Sequence, residues 1–145
     1  MATTDLTDIE TGVIVTPEDA AEIWAVLDTY LYNYRQPIKD YLDKHIETCH
    51  FPHVRIASHQ VMVLPDAESY RKVGLHVDDF MQAGWDHSEW VTRKITQADP
   101  EKVHVNVTFN RYTKDESLIN LETSFYILEK INGRWGVRGR SSFAK

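Results

Sequence analysis

The chain has 145 residues, of which 42% are hydrophobic and 26% are charged, as is typical of one globular domain. Its 22 acidic side chains outnumber the 16 basic ones, and Lys and Arg form no run. This balance argues against a nucleic-acid or anionic-membrane surface, because either needs a positive footprint. No stretch approaches the roughly 18 apolar residues that span a bilayer, so no membrane role is expected. A small neutral molecule or a protein is the partner that the charge balance favours.

The N-terminal segment MATTDLTDIETG has neither the basic start nor the apolar run of a signal peptide. The lone Cys49 has no second cysteine for an intramolecular disulfide. Both observations predict a cytoplasmic protein. Residues 1–15 carry acidic and no basic side chains, and they predict a flexible arm before a single domain at 16–145.

Three helices are predicted in the first half of the chain. Thr16 can cap a helix that begins at Pro17, and a second short helix starts at Pro37. Asp66 can cap a third helix, which Gly84 would end. The apolar stripe of the first helix recurs at three- and four-residue spacing and comprises Ile23, Trp24, Leu27, Tyr30, Leu31 and Tyr34.

Strands dominate the rest of the sequence. Residues 49–64 predict two strands joined near Ser58 and His59. A meander follows, with Asn132 and Gly133 as its strongest hairpin signal. Its predicted strands lie at about 88–97, 103–112, 118–131 and 134–143. Helices first and antiparallel strands last indicate an α+β fold, with three helices on one face of a mainly antiparallel sheet.

Alternation divides the meander into two faces. Odd positions of 103–110 are apolar and even positions are polar, which predicts one buried face and one polar face. Extended to the other strands, the same parity brings Glu89 and Arg93 inward and turns Arg140 outward. The outward set mixes aromatic and charged side chains, as wet protein interfaces do, so we expect a homodimer contact there. Its predicted members are Trp90, His104, Asn106, Tyr126 and Arg138.

The stretch CHFPHVRI at 49–56 holds the candidate catalytic residues His53, Arg55 and His50. Cys-His-x-x-His is not a recognised zinc spacing and no second ligand pair accompanies it, so no metal is expected. A histidine with a pKa near about 6.5 suits proton transfer. If Val54 and Ile56 face the core, His53 and Arg55 face away from it, unless the polar side of this strand lines a cavity. Parity leaves this choice open.

Aromatic side chains provide candidates for a ligand pocket. Trp24, Tyr30 and Tyr34 on the first helix, together with Trp85, could line a site for an aromatic molecule, or they could fill the core. Glu89 and Arg93 are further ligand-binding candidates, with a structural ion pair as the alternative. Phosphate-cradling and dinucleotide motifs are absent from the sequence, and no cofactor is expected.

Three segments carry a family resemblance: TPEDAAEIWAVLDTYLYNY, FPHVRI and LETSFYILEKINGRWGVRGRSSFA. Over about residues 16–143 the sequence resembles the NTF2-like superfamily, whose cone-shaped fold is shared by SnoaL-like polyketide cyclases and ketosteroid isomerases. The resemblance implies a cavity between a curved sheet and the helices. It also implies an acid or base, commonly an aspartate, near the early strands. No aspartate lies between Asp43 and Asp66, and His50 or His53 could take a comparable place.

These observations predict a pocket for a small hydrophobic or aromatic molecule. If the domain is an enzyme, we expect cofactor-free isomerisation, cyclisation or dehydration. His53 would be the base or acid, and Arg55 or a tyrosine would stabilise the developing oxyanion. The alternatives are a non-catalytic ligand-carrying or protein-interaction module and a small subunit of a ring-hydroxylating oxygenase.

Overall fold

A computed structural model describes residues 7–31, 41–74 and 84–143 of the chain. The strands are β1 (Thr7–Ile9), β2 (Cys49–Ala57), β3 (Gln60–Leu64), β4 (His87–Asp99), β5 (Lys102–Tyr112), β6 (Leu118–Ile131) and β7 (Arg134–Ser142). The helices are α1 (Pro17–Leu31), α2 (Tyr41–Glu47) and α3 (Ala67–Val73). Within the described residues, three helices thus pack on a mixed, mostly antiparallel sheet, as the sequence predicts.

Helix α1 forms where the capping signal places it. The Thr16 hydroxyl oxygen accepts a hydrogen bond from the backbone N–H of Asp19 at 3.1 Å, which satisfies one donor of the first turn. The predicted stripe then faces inward, with Ile23, Leu27 and Tyr30 fully buried. The helix consequently carries the Tyr30 side chain into the interior at its last turn.

The sheet has the strand order β1-β4-β5-β6-β7-β2-β3. Strand β1 pairs in parallel with β4, and β2 pairs in parallel with β7, while the other pairs are antiparallel. Residues 1–15 were expected to form a flexible arm, yet Thr7–Ile9 extend the sheet by one edge strand. The ladder bonds to β4 give this segment a structure that its composition does not indicate.

The predicted turns form, but the third helix is shorter than predicted. The predicted hairpins at Ser58 and at Asn132 form, each with residues in the left-handed region. Helix α3 begins after the Asp66 cap but ends at Gly74, whose φ is +72°, ten residues before the predicted end at Gly84. A glycine in that conformation at the C-terminus closes the last turn, here by donating its N–H to the Tyr70 carbonyl. The rest of the predicted helix, residues 75–83, lies outside the described residues.

The two faces of β5 agree with the predicted parity, but those of β6 are reversed. Tyr126 and Leu128 are fully buried, whereas Leu121 is 53% exposed. The reason is the pairing register, which sets Val105 opposite Tyr126 and therefore on the same face. Apolar residues occur at both parities of 118–131, so alternation within β6 does not define the inner face.

Strand β4 changes parity at register shifts between Trp90 and Thr92 and between Ile95 and Gln97. A bulge inserts one residue and sends the following side chains to the other face. Trp90 thus pairs with the inward Phe109, and Arg93 lies inward as predicted. Glu89 does not lie inward: it is exposed and pairs with Asn110 on the outer face.

The predicted outer-face set is corrected in part. His104, Asn106 and Arg138 lie outside the core, with Arg138 bonded to Glu129 on the same face. Trp90 and Tyr126 belong to the inner side. Arg140 is also inward, because the sheet register shifts between Ile127 and Leu128 and leaves Arg140 opposite Tyr126.

The core lies between α1, α2 and the inner face of the sheet. Its largest fully buried side chains include Trp135, Tyr30, Tyr70 and Tyr126. Three of these are tyrosines, which bring hydroxyl groups into a mostly apolar interior and require partners there. None of the helices described here has the length and apolar character to cross a bilayer.

Candidate functional site

A cavity of about 260 Å³ opens at the end of α1 and runs along the inner face of the sheet. Its wall combines aromatic rings with arginine and histidine side chains, a mixture that suits recognition of a small molecule. The lining residues are Tyr30, Leu31, Tyr41, His45, Arg55, Ala57, Ser58, Gln60, Met62, Trp85, Ser88, Phe109, Arg111, Tyr126, Arg140 and Ser142.

Tyr30 connects the cavity to the buried His53. The Nδ1 of His53 lies 3.0 Å from the Val137 carbonyl, which can only accept, so Nδ1 carries the proton. Burial lowers the pKa of His53 to about 4, and the ring is neutral. Its Nε2 therefore accepts from the Tyr30 hydroxyl at 3.3 Å. The Tyr30 oxygen is left with its lone pairs for a group in the cavity.

A second tyrosine–histidine pair lies beside the first. His45 donates from Nδ1 to the Tyr30 carbonyl at 2.8 Å and accepts at Nε2 from the Tyr70 hydroxyl at 2.7 Å. Burial holds the pKa of His45 well below its ordinary value and raises that of Tyr70 to about 12. Both partners are neutral near pH 7, and each polar atom of the pair has a hydrogen bond.

Three arginines also reach the cavity wall. Arg111 pairs with Glu122 at 3.4 Å behind the wall. Arg140 lies over the Tyr30 ring at 5.7 Å and Arg55 over the Tyr70 ring at 5.8 Å. The polar part of the site thus combines positively charged arginines with neutral tyrosines and histidines.

The predicted catalytic residues fall in different places. His53 and Arg55 point into the cone and Val54 and Ile56 point out, the option that parity left open. Arg55 lines the cavity, whereas His53 lies beneath it. His50 is remote from the cavity wall: its Nε2 donates to the Arg134 carbonyl at 2.9 Å.

His50 instead packs against the backbone of β7. A Cβ atom at Gly136 would lie 2.7 Å from the His50 ring, so the two residues fit only because position 136 has no side chain. The burial of His50 is explained by this contact and by its bonds to Arg134, and these give it a structural position.

Some of the predicted ligand-binding residues line the cavity and others do not. Tyr30 and Trp85 line the cavity, and the Trp85 ring stacks on Tyr41 with centroids 6.4 Å apart. Trp24 and Arg93 are correctly placed inward but contact each other away from the cavity, with the guanidinium 4.9 Å from the indole centroid. Glu89 is on the outer face, as described above, and Tyr34 lies outside the described residues.

Sequence reasoning missed Arg111, Arg140, Tyr126 and His45 as cavity residues. Arg111 could have been predicted, because it is the next odd position of β5 after the inward Phe109. Arg140 was missed because of the register shift in the last hairpin, and Tyr126 was missed because its face is set by the pairing of β6 with β5. His45 lacks a signal of its own in the sequence.

Metal-ligand side chains gather at one further place among the described residues. One ligand atom each from His87, Glu89 and Glu116 lie within 4.8 Å of one another. The His87 Nδ1 is 2.8 Å from Asp86, and the two glutamates are exposed. These are donor types that divalent cations use, but exposed carboxylates also cluster without an ion.

Solved structures with the same fold are numerous at low sequence identity. A protein of unknown function with a cystatin-like fold from Nostoc punctiforme has a TM-score of 0.68 and 13% identity, over 90% of this chain and 94% of that chain. Aln2 from a Streptomyces species has a TM-score of 0.65 and 13% identity, over 90% and 93%. A proposed aromatic ring hydroxylase from Novosphingobium aromaticivorans has a TM-score of 0.59 and 12% identity, over 90% and 91%. These likenesses show the fold alone.

No curated protein matches the sequence. The family model described as NTF2-like protein (DUF6841) matches residues 18–142. Because this match spans most of the chain and the fold agrees with it, the protein belongs to the NTF2-like family DUF6841.

Proposed function

We propose that this domain binds a small hydrophobic or aromatic molecule in the cavity at the end of α1. The observation that carries the proposal is the wall itself, where aromatic rings surround a space of about 260 Å³ and hydroxyl, imidazole and guanidinium groups converge on it. A cone filled by side chains would leave no such space. Aromatic walls supply contact area, and the few polar groups fix the orientation of the ligand.

Proton transfer is the chemistry that the site could add to binding. A substrate proton would pass to the Tyr30 oxygen as the Tyr30 proton passes to His53 Nε2, and the substrate would keep the electron pair. Arginines on the wall would stabilise the resulting oxyanion. The low pKa of His53 disfavours this transfer in the empty site, so we place ligand binding first and isomerase, cyclase or dehydratase activity second.

A matched pair of tryptophan substitutions tests the cavity. Ala57 points inward and lines the cavity, whereas its neighbour Ile56 is 45% exposed on the opposite face. Ala57→Trp fills the space and should abolish ligand-dependent stabilisation in a thermal-shift screen of aromatic and polyketide-like compounds, while Ile56→Trp should preserve it. Equal ligand responses in both variants would contradict the proposal.

A non-catalytic role gives a different result in the same screen. A ligand carrier is stabilised by its ligand but does not convert it. No product then forms with either the wild type or His53→Gln. A protein-interaction module shows no ligand-dependent stabilisation in the wild type. A subunit of a ring-hydroxylating oxygenase, the remaining alternative, would be isolated with larger catalytic subunits in a pull-down.

We also keep the proposal of a homodimer through the outer face of the sheet. Exposed apolar side chains on β6 support it, with Leu121 53% exposed and Leu118 58% exposed. Leu121→Lys should convert a dimer to a monomer in analytical ultracentrifugation, without change in the cavity. A cytoplasmic location likewise stays a proposal, and cell fractionation tests it.

A further inference from the structure

We propose that the ligand of the cavity carries an oxyanion, a carboxylate or a phosphate, that binds between the guanidinium groups of Arg55 and Arg140. The proposal rests on the proposed function and adds the charge of the ligand. It reverses the expectation from net charge, since a chain with a formal charge of −6 would by itself favour a neutral molecule.

The two arginines are direct neighbours across two strands. Strands β2 and β7 run in parallel, and their register sets Arg55 opposite Arg140. Both side chains line the cavity, so two positive charges lie on the same face of the sheet at adjacent positions. Like charges opposite each other destabilise a sheet. An anion bound between them would convert this repulsion into two attractions.

No carboxylate among the described residues balances this pair. The described lining of the cavity contains three arginines but neither Asp nor Glu, and only Arg111 has an acidic partner, Glu122. Elsewhere the inward cation Arg93 has Asp28 at 2.8 Å. Among the described residues, the buried Arg93 thus has a carboxylate partner, whereas the half-buried side chains of Arg55 and Arg140 have none.

The neighbouring tyrosines do not supply the missing negative charge. Burial raises the pKa of Tyr30, Tyr41 and Tyr126 above the ordinary value, so all three hydroxyls are neutral near pH 7. The guanidinium of Arg140 keeps its charge as well, because an arginine side chain is not deprotonated in proteins. The positive field in the cavity consequently persists at physiological pH.

Stacking presents the arginines in a suitable orientation. The guanidinium carbon of Arg140 lies over the Tyr30 ring, and that of Arg55 lies over the Tyr70 ring, at 5.7 and 5.8 Å. A guanidinium that lies over an aromatic ring keeps its N–H groups at its edge, where they can bind both oxygens of a carboxylate or two oxygens of a phosphate. The aromatic wall then holds the apolar part of the same ligand.

Affinity for matched compounds tests the proposal. Phenylacetate, phenyl phosphate and the neutral phenylacetamide are titrated by calorimetry into the wild type, Arg55→Gln, Arg140→Gln and Arg138→Gln. Arg138 is on the same strand as Arg140 but pairs with Glu129 on the outer face, so its substitution removes the same charge outside the cavity. The expected loss for each cavity variant is about tenfold to hundredfold in the affinity of the anionic compounds, with no loss for Arg138→Gln.

The two anionic compounds separate a carboxylate from a phosphate ligand. A preference for phenyl phosphate that disappears in Arg140→Gln assigns a phosphate, and the same result with phenylacetate assigns a carboxylate. Equal binding of the neutral amide by the wild type, or anion binding that survives both cavity substitutions, would overturn the proposal while leaving the cavity proposal intact.

A measurement with the anion alone does not depend on an aromatic ligand. Inorganic phosphate is titrated into the wild type while the Nε–H signals of arginine are followed by NMR. Saturable shifts of the Arg55 and Arg140 signals, with the Arg138 signal unmoved, support the oxyanion site. Uniform small shifts of all three signals would indicate ionic strength alone and contradict it.

Discussion

The inner side of the molecule contains two regions that differ in how their charged side chains are paired. In the first, which we term the paired cluster, Asp28 accepts hydrogen bonds from Arg93 at 2.8 Å and from Trp90 at 2.9 Å. Asp19 on the same helix accepts from Trp135 at 2.9 Å and from Lys130 at 3.1 Å. In the second region, the cavity, Arg55 and Arg140 face each other without a carboxylate among the described residues.

We interpret this difference as a division between charges that support the fold and charges that would bind the proposed ligand. A buried ion that has a partner contributes little net stability, but its partner becomes indispensable. A cation held next to another cation lowers stability unless something binds to it. The paired cluster is therefore expected to respond to mutation through stability, and the cavity through affinity.

The largest expected effect distinguishes the two regions by pH. In the unfolded chain His53 takes up a proton near pH 6.5. In the folded protein its pKa is lowered to about 4, so the ring stays neutral at that pH. The stability that neutral His53 supports is present above about pH 6.5 and is lost as pH falls to about 4, by roughly 3 kcal/mol. Urea unfolding across this range should show the decline, and His53→Gln should reduce its slope.

The carboxylates of the paired cluster should titrate at lower pH. Hydrogen bonds from Trp135 and Lys130 lower the pKa of Asp19, so its contribution is present above the ordinary aspartate pKa and is lost only below about pH 4. Asp19→Asn should therefore leave the slope of the stability profile between pH 4 and 6.5 unchanged, even if it lowers stability throughout that range. A flatter profile in this variant would place the titrating group in the paired cluster.

A smaller effect is expected from removing the partner in the paired cluster. Asp28→Ala removes the carboxylate that accepts hydrogen bonds from both Arg93 and Trp90 and should cost about 1–3 kcal/mol in the free energy of unfolding. Asp43→Ala is the control, because Asp43 pairs with Arg71 at an exposed surface and should cost less than about 1 kcal/mol. Equal costs for the two variants would show that the buried Arg93 gains nothing from its pairing with Asp28.

The tyrosine hydroxyls sharpen the comparison further. Tyr70→Phe removes the donor to His45 Nε2 outside the cavity wall and should cost about 1–2 kcal/mol without change in ligand affinity. Tyr30→Phe removes a hydroxyl that the ligand can reach and should change affinity as well as stability. Identical affinities for the two variants would remove Tyr30 from the binding site.

The smallest expected effect has a sign that matters more than its size. Arg55→Gln removes one of two facing positive charges and should stabilise the protein without ligand by about 0.2–1 kcal/mol. Chemical denaturation with and without phenylacetate measures it. A loss of stability without ligand would mean that Arg55 has a structural partner after all.

The fold was predictable from local signals, and the site was predictable only in part. Capping by Thr16 and Asp66 and the turn at Asn132 and Gly133 specify where elements begin and end, because these signals act within a few residues. The inward face of β6 depends on pairing with β5 and on shifts of register that no local pattern contains. For this reason Arg140 and Tyr126 were predicted to face outward.

The stretch CHFPHVRI shows the same limit within eight residues. Its histidines and its arginine are the correct types for a site, and His53 and Arg55 do point inward. Their partners come from distant elements, Tyr30 from α1 and Arg140 from β7, so neither the neutral state of His53 nor the cationic pair could be inferred from spacing. Net charge does not predict the cationic pair either, because it averages over the surface and the cavity.

A double-mutant cycle on anion affinity tests the central claim most directly. Phenylacetate dissociation constants are measured for the wild type, Arg55→Gln, Arg140→Gln and the double variant. If both guanidinium groups hold one oxyanion, each single substitution weakens binding by about tenfold or more, and the double variant loses less than the product of the two losses. Dissociation constants that match the wild type in all three variants would contradict the claim that the cavity is an anion-binding site.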